Sequence, residues 1–530
     1  MLAIAGLCVT AVGPAGCKPR GEATDAPFTT DTARARAAEL ERHLKKEPTD
    51  DAAALELAHL YWLHLRAPAK ATPILDRLAA AGDPVAQVSR MLIADPRLDM
   101  KTTRTMAQAL VRGAGKPATG PGASPERAAM QVALAELAAR YLSENHGEQP
   151  DDDLDFSRFF AEVERLELPA TVSQPLQSLR ASIARRLDQP YMGYYEAQGC
   201  VRAWQVGPVE GTLEAFELRR AAKDPGAFEA DPQAVLTPLS CVVRTWNPTA
   251  RAGMRRMRSF LSVPGDRLTL NLSSQEPIRV YLDGVPVHRS DRSDRWPTGE
   301  ATLAMDVKPG VQRLDVHTTV PRDKVWVLVR ATDHRGKAVP ASMQATGAMA
   351  TPFTGKPTRA SSPFFPYDRG PLAGPSFAPL RMFLAASDAM ADANSDDAEG
   401  FIKALRQLGP NFAEGQLLVA AFESGDPTRE RGASTARQRA AIERALALDP
   451  ELARARLRLL ELTLERGETA EVIDALAALG DQALRNVPGE MLRHAAFLAR
   501  GNEHLADAAL ARAAAIHPEH CGVLKAQRNT

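Results

Sequence analysis

The spacing of apolar residues changes twice along the chain and divides it into three parts. Residues 31–187 and 380–526 are rich in Ala and Leu at helical spacing, whereas residues 190–345 alternate apolar and polar positions with a period of two. Helices favour Ala, and strands favour β-branched and aromatic residues. No alanine occurs between Ala252 and Ala301. The pattern therefore predicts a helical part, a β part and a second helical part.

A repeat marks the C-terminal helical part. The segments ALALDP and AAAIHP end at Pro450 and Pro518, which are 68 residues apart, or twice 34. Ala445 and Ala513 take the same place in the two copies, where two helices would approach closely. A 34-residue period is typical of tetratricopeptide repeats (TPRs), each of which is a pair of antiparallel helices. The N-terminal segment LELAHLYW fits the first helix of the same unit.

Turn signals separate the predicted strands of the middle part. Asp283-Gly284 lies between IRVYL and VPVH, and Asp-Gly favours a two-residue hairpin turn. Pro309-Gly310 predicts a second tight turn between two further strands. Short strands with regular turns predict an antiparallel β-sandwich.

The same part resembles a known module. WQVGPVEG, PIRVYLDGVPVH, VKPGVQRLDVHT and VWVLVRATDHRGKAV resemble a β-sandwich of large bacterial repeat-bearing lipoproteins, which is similar to galactose-binding-like and carbohydrate-binding jelly rolls. In that family TPRs often flank the module and a transglutaminase-like protease domain often follows it. Here the only cysteine near the end is Cys521, which leaves no room for such a domain after it. The resemblance implies the repeats and the module without the protease.

The predicted fold class is multidomain α + β, with TPR-like α-helical hairpins flanking a central antiparallel, jelly-roll-like β-sandwich. The predicted division is a signal peptide with a lipobox-like end (1–17), a tether (18–30), an N-terminal helical domain (31–187), the β-sandwich (190–345), a Pro/Gly-rich linker (346–379) and a C-terminal TPR-like domain (380–526).

The N-terminus predicts export. Residues 1–17 are uncharged and apolar, and PAGC at Pro14–Cys17 resembles the bacterial lipobox, whose cysteine becomes lipidated. A polar stretch follows and would serve as a tether. We therefore expect lipid attachment at Cys17 and a location in the bacterial cell envelope, periplasmic or at the outer membrane. Secretion after ordinary signal cleavage is the alternative.

Charge and cysteine content limit the functions that the sequence predicts. The 65 basic and 65 acidic side chains cancel, which argues against nucleic-acid binding, because that depends on clustered Lys and Arg. The five cysteines form no CxxC pair, and no nucleophile–base constellation is recognisable. We expect no catalytic residue, metal or cofactor. Cys200 and Cys241, both in the β part, would form a disulfide or remain two buried thiols.

Two binding functions remain open. The first is a non-enzymatic interaction scaffold that binds a protein or peptide on the concave face of the C-terminal repeats. Arg454 and Arg458 would bind an acidic or C-terminal-carboxylate ligand there; a merely solvated face is the alternative. The second is glycan binding by the β part, with Trp296 in SDRSDRWPTGE as the exposed stacking residue.

Overall fold

Helices and antiparallel sheets make up the structure, a computed structural model, so the coarse prediction of a mixed α and β protein is confirmed. The residues it describes are 28–114, 125–145, 156–166, 168, 170–186, 189–210, 235–236, 241–245, 253–274, 276–290, 298–320, 325–359, 367, 372–391, 395–424, 431–478, 486–518 and 520–529. No described helix is both long enough and apolar enough to cross a membrane.

Short polar side chains begin the N-terminal helices by accepting hydrogen bonds from first-turn N–H groups. These caps are Thr29, Asp50, Asp83 and Asp99. The helices are α1 (Thr30–Lys46), α2 (Asp51–His59), α3 (Pro68–Ala80), α4 (Pro84–Ala94), α5 (Met100–Gly113), α6 (Pro125–Asn145), α7 (Phe156–Val163), α8 (Ala170–Arg186) and α9 (Met192–Ala197). A π-helical turn over Leu60–His64 continues α2, and a 3-10 turn over Asp95–Arg97 follows α4.

Two antiparallel sheets form the β part. The strands are β1 (Trp204–Glu210), β2 (Val235–Leu236), β3 (Val242–Thr245), β4 (Gly253–Val263), β5 (Arg267–Ser274), β6 (Ile278–Leu282), β7 (Val285–Ser290), β8 (Thr298–Asp306), β9 (Gly310–Val320), β10 (Val325–Thr332), β11 (Ala341–Ser342) and β12 (Thr358–Arg359). One sheet has the order β2-β1-β4-β9-β6-β7 with β11 also on β4, and the other has β12-β8-β5-β10-β3. Apolar side chains from both sheets belong to one buried cluster, which includes Trp204, Leu270 and Val316.

The two predicted turns differ in what they connect. Asp283-Gly284 closes the β6–β7 hairpin, as predicted, and both residues have positive φ (51° and 86°), as a type I′ turn requires. Pro309-Gly310 joins β8 of one sheet to β9 of the other, so it passes between sheets and closes no hairpin. Turn chemistry marks where a strand ends, but which sheet receives the next strand depends on packing.

The predicted linker, residues 346–379, belongs in part to both cores. Phe353 is buried in the apolar cluster between the sheets, and β12 pairs with β8. Tyr367 is fully buried among helices, and its hydroxyl donates to Asp388 at 2.8 Å. Phe353 and Tyr367 therefore anchor the described parts of this segment to the two cores.

The last five described helices recur with a 34-residue period. The C-terminal helices are α10 (Ala378–Ala391), α11 (Ser395–Leu408), α12 (Ala413–Ser424), α13 (Arg431–Leu448), α14 (Ala453–Glu465), α15 (Thr469–Ala478), α16 (Val487–Ala499), α17 (Glu503–Ile516) and α18 (Cys521–Asn529). The starts of α14 and α15 are repeated 34 residues later by α16 and α17. Gly467 and Gly501, also 34 residues apart, have positive φ (83° and 72°) just after α14 and α16, where glycine ends a helix at low steric cost.

The two helical parts share one hydrophobic core, which differs from the predicted separation into 31–187 and 380–526. One apolar cluster contains buried residues of both parts, from Ala33 to Ile183 and from Tyr367 to Leu462. The indole ring of Trp62 meets Phe412 edge-on with ring centroids 5.1 Å apart, and its N–H donates to Glu414 at 3.1 Å. The β part is therefore inserted between two halves of one helical body.

Buried ion pairs also cross between these halves. The Arg97 guanidinium contacts the carboxylates of Glu414, at 3.4 Å, and Asp449, whose side chains are 4% and 10% exposed. Arg454 reaches back from α14 to Asp95, a fully buried carboxylate, with both nitrogen–oxygen distances at 2.8 Å. Each pair joins residues more than 300 positions apart.

One buried histidine gives the helical body a pH dependence. His59 is fully buried between the carbonyl of Leu55 and the hydroxyl of Ser89, with both hydrogen bonds at 2.8 Å. Burial lowers the pKa of His59 to about 4 from 6.5. Because protonation then favours the unfolded chain, the His59 contribution is complete above about pH 6.5 and is lost as the pH falls towards 4.

We expect this loss to reach roughly 3 kcal/mol of unfolding free energy at pH 4. A His59→Gln variant keeps a polar side chain without this titration, so its stability should fall less steeply between pH 6.5 and 4. Urea unfolding across that range measures both slopes, and exposed His334→Gln is the matched control. Equal slopes of unfolding free energy against pH for the wild type and His59→Gln would contradict the assignment of this pH dependence to His59.

Candidate functional site

Two grooves lie among the helices of the 34-residue repeat. The Asn486 side chain accepts from the Gly489 N–H at 2.8 Å and begins α16, while Asn502 does the same for α17 through Leu505. Because Gly501 ends α16 abruptly, α16 and α17 form a hairpin, and both contact their neighbours along the chain. Helix α16 lines both grooves.

The first, which we name the basic groove, has a volume of about 570 Å³. Its apolar lining is Ile473, Leu476, Phe497 and Leu505, and its charged lining is Glu490, Arg493 and Arg512. Among the described residues, the groove therefore combines an apolar wall with two guanidinium groups and one carboxylate.

A buried carboxylate holds the two arginines of the basic groove. Glu490 is 3% exposed, and its Oε1 accepts from Arg493 Nη1 at 2.9 Å. Its Oε2 accepts from Arg512 Nε at 3.0 Å, and Arg512 Nη2 lies at the same distance in the ion pair. The Arg512 side chain remains 50% exposed. Two guanidinium groups are thus fixed by one carboxylate at the wall of an open groove.

The second, which we name the acidic groove, has a volume of about 520 Å³. Its charged lining includes Arg458, Glu461 and Glu465, and its apolar lining includes Met491 and Leu492. Arg458 Nη1 donates to Glu461 at 2.6 Å. With two carboxylates against one guanidinium, this groove does not favour an anionic ligand.

Most of the exposed large apolar side chains belong to the last three described helices. The large hydrophobic residues that are exposed in the described part of the chain are Met349, Leu498, Leu505, Ile516 and Leu524. Four of the five belong to α16, α17 and α18. Of these four, Leu505 lines the basic groove.

Arg454 and Arg458, the predicted ligand-binding pair, are placed differently from what the sequence predicts. Arg454 is used within the chain, because its guanidinium neutralises the buried Asp95. Arg458 lies in the acidic groove beside Glu461. The predicted pair therefore does not form an arginine-rich open face. The sequence analysis did not identify Glu490 or Arg512, and the i, i+3 spacing of Glu490 and Arg493 was the available signal.

The other predicted site residues fall into two groups. Cys17 and Trp296 lie outside the described residues. The structure brings Cys200 and Cys241 together as a disulfide with Cα atoms 4.9 Å apart, and both residues are buried beside Leu328. Among the Phe, Tyr and Trp side chains of the β part whose burial the structure describes, none is exposed.

One surface group has metal-ligand residue types. His43, Glu47 and Asp50 place one ligand atom each within 4.8 Å of the others. His43 Nε2 lies 2.8 Å from Asp50 Oδ2, while Asp50 Oδ1 caps α2 through Ala53. An ion pair and a helix cap account for these contacts.

Comparison with known proteins identifies no family for this chain. No protein family and no curated protein matches the chain. Among solved structures, a GH31 alpha-xylosidase from Xanthomonas citri is similar over 28% of this chain and 15% of its own, with 14% identity and a TM-score of 0.15. A TM-score this low establishes no shared fold.

Proposed function

We propose that the protein is a non-enzymatic interaction scaffold of the bacterial cell envelope that binds protein partners on TPR-like helical hairpins. The 34-residue recurrence of helix starts and of Gly467 and Gly501 supports the repeat assignment. The two antiparallel sheets with a common core support a β-sandwich inserted into the helical body. A lipid on Cys17 would hold this scaffold at a membrane.

The concentration of exposed apolar side chains in α16–α18 carries the proposal. Stacked helix pairs build extended surfaces for partners, and here the exposed Leu505 lines one of two open grooves. The glycan-binding alternative would rest on an exposed aromatic side chain of the β part, and Trp296 remains the residue to test for it.

A photo-crosslinking amino acid in place of Leu505 should trap the partner. Leu505 is 40% exposed at the basic groove, so irradiation of native membranes should give a discrete covalent adduct with another protein. Met349 is the matched control, because it is a large apolar residue that is 51% exposed away from the grooves. Adducts absent at Leu505, or identical at both positions, would argue against the scaffold.

A further inference from the structure

We propose that the basic groove binds a peptide segment in which a Glu or Asp side chain lies next to a large apolar side chain. The inference rests on the proposed function and specifies the partner chemistry. It depends on two properties of the groove that occur together: an apolar wall and two arginines fixed by one carboxylate.

The apolar wall supplies the anchor. Leu505 is exposed, while Ile473 and Phe497 are partly buried at its side. Burying a Leu or Phe side chain of a partner removes apolar surface from water on both molecules, which favours association. The groove volume of about 570 Å³ is ample for one such side chain and its neighbours.

The arginines of the groove favour an acidic residue of the partner next to its apolar side chain. Arg454 and Arg458 each face a carboxylate, on Asp95 and Glu461, whereas Arg493 and Arg512 share Glu490. A ligand carboxylate would give the half-exposed guanidinium of Arg512 a second acceptor. Charge-assisted hydrogen bonds to guanidinium groups are stronger than neutral ones.

Arg512 is the group that would contact this carboxylate. Its Nε and Nη2 are held by Glu490, and half of its side chain is exposed. Its Nη1 makes no hydrogen bond to any described residue, which leaves donors for a ligand. Because Glu490 already fixes the guanidinium, little side-chain freedom is lost on binding.

Fluorescence anisotropy with defined peptides tests the proposal on the full chain. The probe is a labelled, C-terminally amidated octapeptide with two Glu residues, each beside a Leu or Phe. We expect a Kd below about 100 μM in low salt that weakens as salt is added. Peptides with Glu→Gln or with Leu and Phe→Ser should each bind about ten-fold more weakly or worse.

Variants of the protein locate the site. Arg512→Ala removes one guanidinium and leaves Arg493 paired with Glu490, so we expect about ten-fold weaker binding of the acidic peptide. Leu505→Ser should weaken binding of the apolar anchor to a similar degree. Arg528→Ala, an exposed arginine on α18 that does not line the groove, is the matched control and should bind normally. Circular dichroism checks that each variant is folded.

Several results would overturn the inference. They are no binding at millimolar peptide, equal binding of the Gln peptide, and unchanged affinity of Arg512→Ala. Tight binding of a Glu-free peptide with a free C-terminus would assign the groove to terminal carboxylates instead and would also overturn it. A crosslinked partner at Leu505 together with any of these results would preserve the scaffold and reject this ligand class.

Discussion

Replacing Arg97 with alanine is expected to destabilise the helical body by about 3–5 kcal/mol, because it leaves two buried carboxylates without their cation. Glu414 and Asp449 are 4% and 10% exposed, and both contact the Arg97 guanidinium. Burial raises the pKa of Glu414, and the charge of Arg97 opposes that rise. Urea unfolding followed by helical circular dichroism measures the loss.

An exposed pair of the same type provides the control. Arg34 and Asp31 lie 2.8 Å apart with side chains 69% and 91% exposed, so Arg34→Ala should change the stability by less than about 1 kcal/mol. Changing Arg97→Met together with Glu414→Gln and Asp449→Asn removes the uncompensated charge and should recover much of the stability. Equal effects of Arg97→Ala and Arg34→Ala would contradict this account.

Removing the Cys200–Cys241 disulfide is expected to cost about 4 kcal/mol, because it frees a loop spanning 41 positions in the unfolded chain. The change is Cys200→Ser with Cys241→Ser, and thermal unfolding measures the result. Both residues are buried against Leu328, so the two hydroxyls also replace packed sulfur atoms.

Reductant separates the bond from these packing effects. It should lower the melting temperature of the wild type towards that of the double variant and leave the double variant unchanged. If both thiols react with an alkylating agent in unreduced, denatured protein, the disulfide is absent and the prediction fails.

Local features were predictable from the sequence because local sterics and periodicity determine them. The change from helical spacing to alternation located the β part, and Asp283-Gly284 located its hairpin. The repeat of Pro450 and Pro518 gave the period that the helix starts follow. Each of these depends on residues within one or two elements.

Long-range pairing was not predictable from the same patterns. The sequence pattern predicts an exposed helix position for Arg454, yet its guanidinium donates to Asp95, 359 residues away. The sequence places Tyr367 in a predicted Pro-rich linker, yet Tyr367 is buried in the helical core. The basic groove was missed because Glu490 and Arg512 come from different helices, which only the fold brings together.

The inserted β part has a consequence for how the protein is made. Trp62 packs on Phe412, and its indole donates to Glu414, which lies 352 residues further along the chain. At a synthesis rate of about 5–20 residues per second, the N-terminal helices wait roughly 20–70 s for these partners. During that interval their apolar face has no native cover. We therefore expect the newly made N-terminal half to need a holding chaperone. Mutations that weaken this half should lower the yield of folded protein before they affect partner binding.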